Sequence, residues 1–310
     1  MKPPHDALTV GGAVRFASAA LQQDDPLDPS AAASERRDSA RREASVLLEY
    51  ATGWTQVQLL TSLDRPLPDT AAIAFLEAVE RRRTGEPLQY ITGTAWFYGR
   101  PFHVEPGCLI PRPETEVLVE LASGWVQTYA PFAGVCDLGT GSGAIAVTVA
   151  LECPHAHMLA LELSPLATRI ARNNAERLGA SVLLHETDGI EWLQQGRGRA
   201  AGMQVLVSNP PYIPTAEIDH LNRDVRDFEP RVALSGGHDG LDYYRALSQL
   251  GNAAFATGPA SLWLEVGMGQ AASVLDLFAR QERARWADWK FAAKPDLRGI
   301  LRVVTGVRRG

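Results

Sequence analysis

The stretch VCDLGTGSGAIA, residues 135–146, joins an apolar strand pattern to a helix pattern through three glycines. Gly139, Gly141 and Gly143 permit a tight turn and let a ligand approach the backbone. Their spacing is G-x-G-x-G, whereas G-x-G-x-x-G is the fingerprint of a dinucleotide site that holds a pyrophosphate. Asp137 precedes the first glycine by two residues, where a carboxylate would repel a pyrophosphate but suit a cation. The loop therefore predicts a ligand such as S-adenosyl-L-methionine (SAM), which has an ammonium and a sulfonium and no phosphate.

Strand and helix patterns alternate from about residue 134 onward. The strand patterns are VCDLG, HMLALEL, SVLLHET, MQVLVSN, ASLWLEV, WKFAAKP and ILRVVTG. The helix patterns between them include AIAVTVALE, PLATRIARNNAERLG, IEWLQQ, DYYRALSQLGNAAF and QAASVLDLFARQ. Such alternation predicts an α/β fold with a doubly wound, mostly parallel sheet. In such a sheet the first and fourth strands flank the point where the strand order reverses, and ligands bind beyond their carboxyl ends.

Two acids at later strand ends extend the glycine loop into a candidate cofactor site. Glu162 ends the second strand pattern about 23 residues after Gly139, where an acid accepts hydrogen bonds from ribose hydroxyls. Asp188 follows the third strand pattern and is expected to accept from the adenine amino group. One loop alone is weak evidence, but three acids at three strand ends are a specific combination.

The fourth strand pattern runs into VLVSNPPYIP, residues 205–214. Prolines fix φ and lack an N–H donor, so the turn presents carbonyl groups in a rigid arrangement. The Asn209 side-chain carbonyl and the Pro210 backbone carbonyl are two acceptors, which match the two donors of a planar NH2 group. Tyr212 is expected to pack against that flat group. The turn therefore predicts transfer of a methyl group to an amide or amino nitrogen conjugated to a π system.

The N-terminal part of the chain is predicted to be mainly helical. Amphipathic helices are predicted at residues 7–23, 39–52 and 68–85, with Gly53 and Gly85 as stops and Asp69 or Thr70 as a cap. Residues 21–40, rich in Pro, Asp and Ser, are predicted to be a loop or linker. Aromatic residues on both sides of Gly99-Arg100 predict a hairpin. The predicted domains are a helical domain at 1–86, a connecting β-hairpin at 87–110 and a catalytic domain at 111–310.

The composition of the chain limits which partners and which cellular compartment are expected. The chain has 310 residues, 45% of them hydrophobic, and a formal net charge of −6 without a broad basic block. Direct nucleic-acid binding and membrane association are therefore not expected. Three cysteines without a CxxC motif favour the reducing cytoplasm. Cys153, His155 and His157 lack an evident fourth ligand, so no metal site is predicted.

The combination of DLGTGSG and NPPY resembles the class I SAM-dependent methyltransferases that modify amide or amino nitrogens. Three segments are similar to the release factor glutamine methyltransferases in particular: GEPLQYITGTAWFYGRPFHVEPGCLIPRPETEVLVE, DVRDFEPRVALSGGHDGLDYYR, and LWLEVGMGQ with DLRGILRVV. The resemblance spans about residues 36–305. It differs at Glu162, where the family commonly has Asp, and in a longer segment between Gln22 and Arg37.

The resemblance implies methylation of the N5 side-chain nitrogen of the glutamine in the Gly-Gly-Gln motif of class I peptide chain release factors. It implies a Rossmann-like catalytic domain and a small, substrate-recruiting helical domain. The predicted catalytic residues are Asn209, Pro210 and Tyr212. The predicted substrate-binding residues are Asn209, Pro210, Pro211, Tyr212, Arg112 and Glu114, with an apolar wall from Phe102. The predicted cofactor-binding residues are Asp137, Gly139, Thr140, Gly141, Gly143, Glu162, Asp188, Gly189 and Asn209.

Other functions remain open from the sequence. A glutamine methyltransferase acting on a ribosomal protein is the nearest alternative, and the IPRPETE string favours the release-factor branch. An adenine-N6 nucleic-acid methyltransferase would require a target-recognition domain and a basic groove, and the sequence indicates neither. A SAM-binding protein without catalysis would predict a damaged glycine loop or NPPY turn, whereas both are intact.

Overall fold

The computed structural model describes residues 8–23 and 33–309, which divide into two compact units. The first unit lies within Met1–Gly93 and Leu221–Phe228, and the second within Thr94–His220 and Glu229–Gly310. The first unit thus extends past residue 86, because the short helix Leu88–Thr92 places Leu88 and Ile91 against the helical core. Within the segment 87–110, the hairpin itself belongs to the second unit.

Helices with a shared apolar core build the first unit. They are α1 (Val10–Gln23), α2 (Ala33–Thr52), α3 (Gln56–Leu60), α4 (Asp69–Arg83) and α5 (Leu88–Thr92). Leu47, Leu48 and Phe75 are fully buried in their common core. The Arg82 guanidinium, itself buried, pairs with the Glu43 carboxylate at 2.6 Å and so joins α4 to α2.

Two predictions for this unit are corrected. Residues 33–40 are helical rather than loop, because alanine favours helix and Ala40 continues the buried stripe of Ala44 and Leu47. The rest of the predicted loop, residues 24–32, lies outside the described residues. The N-cap of α4 is Pro68 rather than Asp69 or Thr70. Gly53 follows α2 with φ +68°, as expected of a helix stop.

The second unit alternates strands and helices. Its strands are β1 (Thr94–Phe97), β2 (Arg100–His103), β3 (Gly134–Leu138), β4 (His157–Glu162), β5 (Val182–Glu186), β6 (Met203–Ser208), β7 (Ala260–Glu265), β8 (Trp289–Pro295) and β9 (Leu301–Arg308). Its helices are α6 (Thr115–Tyr129), α7 (Ala144–Glu152), α8 (Pro165–Leu178), α9 (Gly189–Gln194), α10 (Arg197–Ala200), α12 (Arg231–Leu234), α13 (Asp242–Ser248) and α14 (Ala271–Arg285), while α11 (Arg223–Phe228) belongs to the first unit.

A seven-stranded sheet carries this unit in the order β5-β4-β3-β6-β7-β9-β8. Strands β3 to β7 pair in parallel, and β9 pairs antiparallel with both β7 and β8. The first and fourth strands of the alternation, β3 and β6, are neighbours, which confirms the predicted switch point. Two apolar clusters cover the sheet, one containing α6 and α7 residues and one containing α13 and α14 residues.

The predicted hairpin forms from β1 and β2 and packs in the second unit, but it turns at Tyr98 and Gly99 rather than at Gly99 and Arg100, since Arg100 already pairs with Phe97. One helix prediction is too long. Residues 242–255 form α13 only to Ser248, followed by a 3₁₀ turn at Gly251–Ala254. Gly251 has φ +69°, a conformation that ends an α-helix.

Among the helices within residues 8–23 and 33–309, none has the length and apolar character needed to cross a lipid bilayer.

Candidate active site

The switch point of the sheet brings the glycine loop and the NPPY turn together. The loop follows β3 and the turn follows β6, and these strands pair in register from Val135 with Val205 to Asp137 with Val207. The Ser208 hydroxyl donates to the Leu138 carbonyl at 2.7 Å, which ties the two strand ends to each other. One cleft is lined by residues of both segments.

The glycine loop is anchored by a backbone hydrogen bond and shaped by glycines with positive φ. The Gly139 N–H donates to the Leu161 carbonyl at 2.8 Å, which anchors the loop to the end of β4. Gly141 and Gly143 have φ of +58° and +82°, which favour glycine because L side chains rarely adopt this region. A Cβ on Gly143 would also lie 3.2 Å from the Ala171 backbone, so α8 packs close against the loop.

Asp137 is a fully buried carboxylate under this loop. Its Oδ2 accepts from the Thr140 hydroxyl at 2.6 Å and from the Ala146 N–H at 3.1 Å, which fixes the loop on the start of α7. Its Oδ1 is buried and has no hydrogen-bond partner among the described residues. Burial raises the pKa of Asp137 to about 7. The group is thus an unsatisfied acceptor that a bound cation or N–H donor would complete.

Glu162 lies at the end of β4 and lines the cleft. Its Oε2 accepts from the Gly141 N–H at 2.8 Å, and its Oε1 accepts from the Ser164 N–H at 2.9 Å. These bonds lock the side chain in one position. Each carboxylate oxygen keeps a further lone pair, so the group can still accept from two hydroxyls.

The end of β5 supplies the next wall of the cleft. Asp188 lines it and caps α9, since its Oδ1 accepts from the Glu191 N–H at 3.0 Å. The next residue, Gly189, packs closely against Leu138. A Cβ at position 189 would lie only 2.2 Å from Leu138 Cδ1, so a larger residue would not fit without a shift. Tyr243 also lines the cleft, and the charges of Asp188 and Glu162 add to burial in raising the pKa of its phenol.

The NPPY turn lines the opposite side through Asn209, Pro210 and Pro211. The Asn209 Nδ2 donates to the Thr115 hydroxyl at 3.1 Å. Tyr212 is half-buried outside the cleft lining, and burial raises the pKa of its phenol to about 12. Its carbonyl accepts from Gln270 Nε2 at 2.8 Å, while Gln270 Oε1 accepts from the Gly267 N–H at 3.0 Å.

Arg112 and Glu114 are not among the residues that line the cleft, and their charges act in opposite directions on the pKa of the Tyr212 phenol. Arg112 donates to both oxygens of Glu229 at 2.8 and 2.7 Å. Glu229 is only 4% exposed, so this pair firmly joins the segment before α6 to the segment after the NPPY turn. Phe102 is fully buried and contacts Phe97 edge-to-face, which makes it core rather than cleft wall.

The structure thus separates the predicted residues into two groups. Those that line the cleft are Gly139, Gly141, Glu162, Asp188, Gly189, Asn209, Pro210 and Pro211. Those that flank or support it are Arg112, Glu114, Asp137, Thr140, Gly143 and Tyr212.

Among the residues of the site that the sequence does not reveal are Thr115, Asn174, Tyr243 and Gln270. Asn174 is fully buried on α8, where its Nδ2 donates to the His103 and Ser142 carbonyls and its Oδ1 accepts from the His103 N–H. It thereby joins the hairpin to the glycine loop. Gln270 was within the LWLEVGMGQ string, but nothing local in that string indicates a contact with Tyr212.

A Rossmann-like sheet whose switch point holds this cleft, together with a match of residues 118–222 to the "Methyltransferase small domain" family model, defines a SAM-dependent methyltransferase. A second model, "PrmC N-terminal domain", matches residues 30–93. The chain belongs to the release factor glutamine methyltransferase family, since curated members are about 40% identical over most of its length.

Among those members, the Geobacter sulfurreducens release factor glutamine methyltransferase is 43% identical over 87% of this chain and 90% of its own. The Moorella thermoacetica protein of the same name is 42% identical over 87% of this chain and 92% of its own. A crystal structure of a release factor-specific protein-(glutamine-N5) methyltransferase from Alicyclobacillus acidocaldarius is 34% identical and covers 67% of this chain and 100% of its own, with a TM-score of 0.44.

SAM is accordingly the methyl donor of this enzyme. The residues present fit it. Glu162 offers acceptors for hydroxyls, and the buried Asp137 Oδ1 lacks a donor. The described residues that line the cleft include two carboxylates, Glu162 and Asp188, but no lysine or arginine. This lining suits a cofactor without phosphate groups. Within residues 8–23 and 33–309, no cluster of three His, Cys, Asp or Glu side chains that could hold a metal ion is found.

Proposed function

We propose that this enzyme transfers the methyl group of SAM to the side-chain amide nitrogen, N5, of the glutamine in the Gly-Gly-Gln motif of class I peptide chain release factors. The observation that carries the proposal is the shared cleft, in which Asn209, Pro210 and Pro211 face the glycine loop and Glu162. Relatives about 40% identical are named release factor glutamine methyltransferases. Because that substrate acts in protein synthesis, we place the enzyme in the cytoplasm.

The chemistry of the turn suits an amide nitrogen. The Asn209 side chain donates its Nδ2 to Thr115, which leaves its carbonyl oxygen as an acceptor. Together with the Pro210 backbone carbonyl, it would bind both hydrogens of a substrate NH2 group. An amide nitrogen is a weak nucleophile because its lone pair is delocalised, so orientation and two acceptors that favour a developing positive charge are the main contributions. Bound SAM supplies the electrophilic methyl group.

The remaining substrate residues flank that turn. Tyr212 would pack against the planar amide, and Gln270 fixes the backbone of Tyr212. Arg112 and Glu114 would contact the substrate near Tyr212, with Arg112 held by Glu229. For cofactor binding, Gly139, Gly141, Glu162, Asp188 and Gly189 would contact SAM directly. Thr140 and Gly143 would shape the loop, and Asp137 would also offer its Oδ1, which has no partner among the described residues, to the cofactor. We propose that the helical unit recruits the protein substrate.

A methyl-transfer assay tests the proposal. Labelled SAM is offered with a purified class I release factor, with its Gln→Ala variant in the Gly-Gly-Gln motif, with ribosomal proteins, and with DNA. Label should enter only the wild-type release factor, and Asn209→Ala should lose most of the rate because one of two acceptors is gone. Asn173→Ala, an exposed asparagine on α8, is the control that should keep it.

Each other outcome of the assay contradicts a defined part of the proposal. Label on DNA would favour an adenine-amino methyltransferase, and label on ribosomal proteins alone would favour the other glutamine substrate. Equal label on the Gln→Ala factor would place the methyl group on a different residue. No label on any acceptor would contradict the proposed function itself.

A further inference from the structure

The half-buried side chain of Gln270 joins the NPPY turn to the segment between β7 and α14. Its Oε1 accepts from the Gly267 N–H at 3.0 Å, and its Nε2 donates to the Tyr212 carbonyl at 2.8 Å, 58 residues away in the chain. A backbone N–H can only donate and a backbone carbonyl can only accept. The two bonds therefore fix which end of the Gln270 amide faces the turn.

Two buried glycines let backbone segments pack directly against this contact. A Cβ on Gly240 would lie 2.3 Å from the Tyr212 carbonyl oxygen and 2.7 Å from Gln270 Nε2. A Cβ on Gly267 would lie 2.7 Å from Gln270 Oε1 and 3.1 Å from Tyr212 Cδ2. A side chain at either position would displace the turn or the amide, since only glycine permits so close an approach of the backbone. The chain thus encloses the Gln270 amide and one edge of the Tyr212 ring.

The carbonyl groups of the turn are divided between the protein and the cleft. The Tyr212 carbonyl is taken by Gln270, and the Ile213 carbonyl accepts from the Gly236 N–H at 2.9 Å. The Pro210 carbonyl has no hydrogen-bond donor among the described residues, and Pro210 lines the cleft. The two prolines of the turn fix φ, so few backbone rotations separate this carbonyl from the two that are held. Its direction therefore depends on how firmly Tyr212 is held.

We propose that Gln270 is a positioning residue, which holds the Tyr212 carbonyl so that the Pro210 carbonyl is directed at the NH2 group of the substrate amide. The same contact keeps the Tyr212 ring in place for packing against that amide. This inference rests on the proposed function, because a substrate NH2 group is what requires an acceptor at this place. Gln270 is not among the described residues that line the cleft, so it acts through the turn and not on the reacting atoms.

Gln270 also has a local role at the start of α14, and one substitution separates the two roles. Its carbonyl accepts from the Val274 N–H at 3.0 Å, and its own N–H donates to the Gly267 carbonyl at 3.0 Å. In Gln270→Glu, a carboxylate would still accept from the Gly267 N–H and would suit the N-terminus of the helix. Its other oxygen would face the Tyr212 carbonyl without a proton to donate, and the two oxygens would repel each other. The substitution thus removes the contact with the turn and preserves the local one.

Steady-state assays with the release factor at about pH 8, where a glutamate is ordinarily ionised, test the positioning role. We expect kcat of Gln270→Glu to fall by roughly tenfold to a hundredfold, because a small misplacement of one group costs about that much. Gln270→Met, which loses both side-chain bonds at similar length, should fall at least as far. Gln249→Glu, at an exposed glutamine that follows α13, is the matched control and should keep the wild-type kcat.

Two further readouts show whether the loss acts through the turn. The SAM dissociation constant and the unfolding temperature of Gln270→Glu should stay close to those of the wild type. A SAM affinity that falls in parallel with kcat would overturn the proposal, since the effect would then be a general loosening of the site. A loss of kcat in Gln270→Met alone would also overturn it and would leave Gln270 with only its role at α14.

The wild-type rate on the release factor is measured first, so that the two proposals can fail separately. Its absence would contradict the proposed function. A normal wild-type rate with a fully active Gln270→Glu enzyme would contradict only the positioning role.

Discussion

The Glu162 carboxylate lies at the end of β4, where each oxygen already accepts one backbone N–H. We expect Glu162→Gln to weaken SAM binding by about tenfold to a hundredfold, because a hydrogen bond to a charged group contributes roughly 1.5–3 kcal/mol. The NH2 end of the glutamine side chain would also point its hydrogens at one of the two backbone N–H groups that Glu162 accepts from. Isothermal titration calorimetry with SAM measures this difference.

Glu186→Gln is the matched control for that prediction. Glu186 pairs with Glu162 in the sheet register, at the end of the neighbouring strand β5, and is exposed. It is not among the described residues that line the cleft. The control should bind SAM with wild-type affinity. Equal weakening in the two variants would show that the general charge of the strand ends, rather than the Glu162 contact, determines affinity.

At the scale of single residues, the sequence predicts the cleft lining better than its support. Glycines and acids at strand ends follow from the spacing of elements, and eight of the predicted residues line the cleft. Thr115, by contrast, is 94 residues from Asn209, and Asn174 is 71 residues from His103. Such contacts depend on which segments the fold brings together, and no local pattern contains that information.

Asn174 shows how one side chain joins several elements. It lies on α8 and exchanges two hydrogen bonds with the His103 backbone on β2 and donates a third to Ser142 in the glycine loop. Asn174→Ala would leave buried backbone groups without partners, at roughly 1–3 kcal/mol for each. We expect it to lower the free energy of unfolding of the second unit by at least about 2 kcal/mol. Urea unfolding monitored by fluorescence and circular dichroism measures this.

Asn173→Ala again provides the control, since Asn173 is the adjacent exposed asparagine on the same helix. It should change the free energy of unfolding by less than about 0.5 kcal/mol, as is usual for surface positions. A similarly small effect of Asn174→Ala would mean that the bonds between α8, the hairpin and the glycine loop contribute little to stability.

At the scale of elements, hydrophobic periodicity locates most helices and strands. Glycine, proline and polar residues predict where those elements begin and end less reliably. The 144–152 helix begins and ends where its pattern does. The sequence predicts a loop over residues 33–40 because Pro, Asp and Ser dominate the preceding segment, although α2 starts at Ala33 with Glu35 in its first turn. The 242–255 helix was overextended because its apolar spacing continues past Gly251, where the backbone leaves the helical region.

At the scale of the whole molecule, strand alternation predicts the parallel part of the sheet and its switch point. It does not predict that β9 lies between β7 and β8. That placement is antiparallel and depends on contacts such as the Phe291 ring against Gly306, where a Cβ would lie 2.5 Å from a ring carbon. A close fit between an aromatic ring on one strand and a glycine on the next has no counterpart in the period of either strand.

Two buried carboxyls make the stability of the second unit depend on pH. Burial raises the pKa of Asp137 from 3.8 to about 7 and that of Glu265 from 4.5 to about 7. In the unfolded chain both groups ionise near pH 4, so between about pH 4 and 7 the folded state binds more protons. Their stabilising contribution is therefore complete below pH 4, decreases as pH rises, and is lost above pH 7.

Exposed carboxyls act in a different pH range. Hydrogen bonds from arginine side chains hold the pKa of Asp227 and Asp239 below the usual value of 3.8. A lowered pKa of this kind adds stability that is present above pH 4 and is lost as pH falls further. The thiol of Cys108 has a pKa raised by burial to about 11 and matters only above pH 8. The interval from pH 5 to pH 8 thus separates Asp137 and Glu265 from these groups.

We therefore expect the free energy of unfolding of the SAM-free enzyme to fall between pH 5 and pH 7, with a slope of at most about 1.4 kcal/mol per pH unit for each carboxyl. Asp137→Asn and Glu265→Gln should each reduce that slope, because an amide does not ionise. Urea unfolding at half-unit pH intervals measures it, and Asp242→Asn, at an exposed position on α13, should leave it unchanged. A slope identical in all four proteins would mean that neither buried carboxyl titrates in this range.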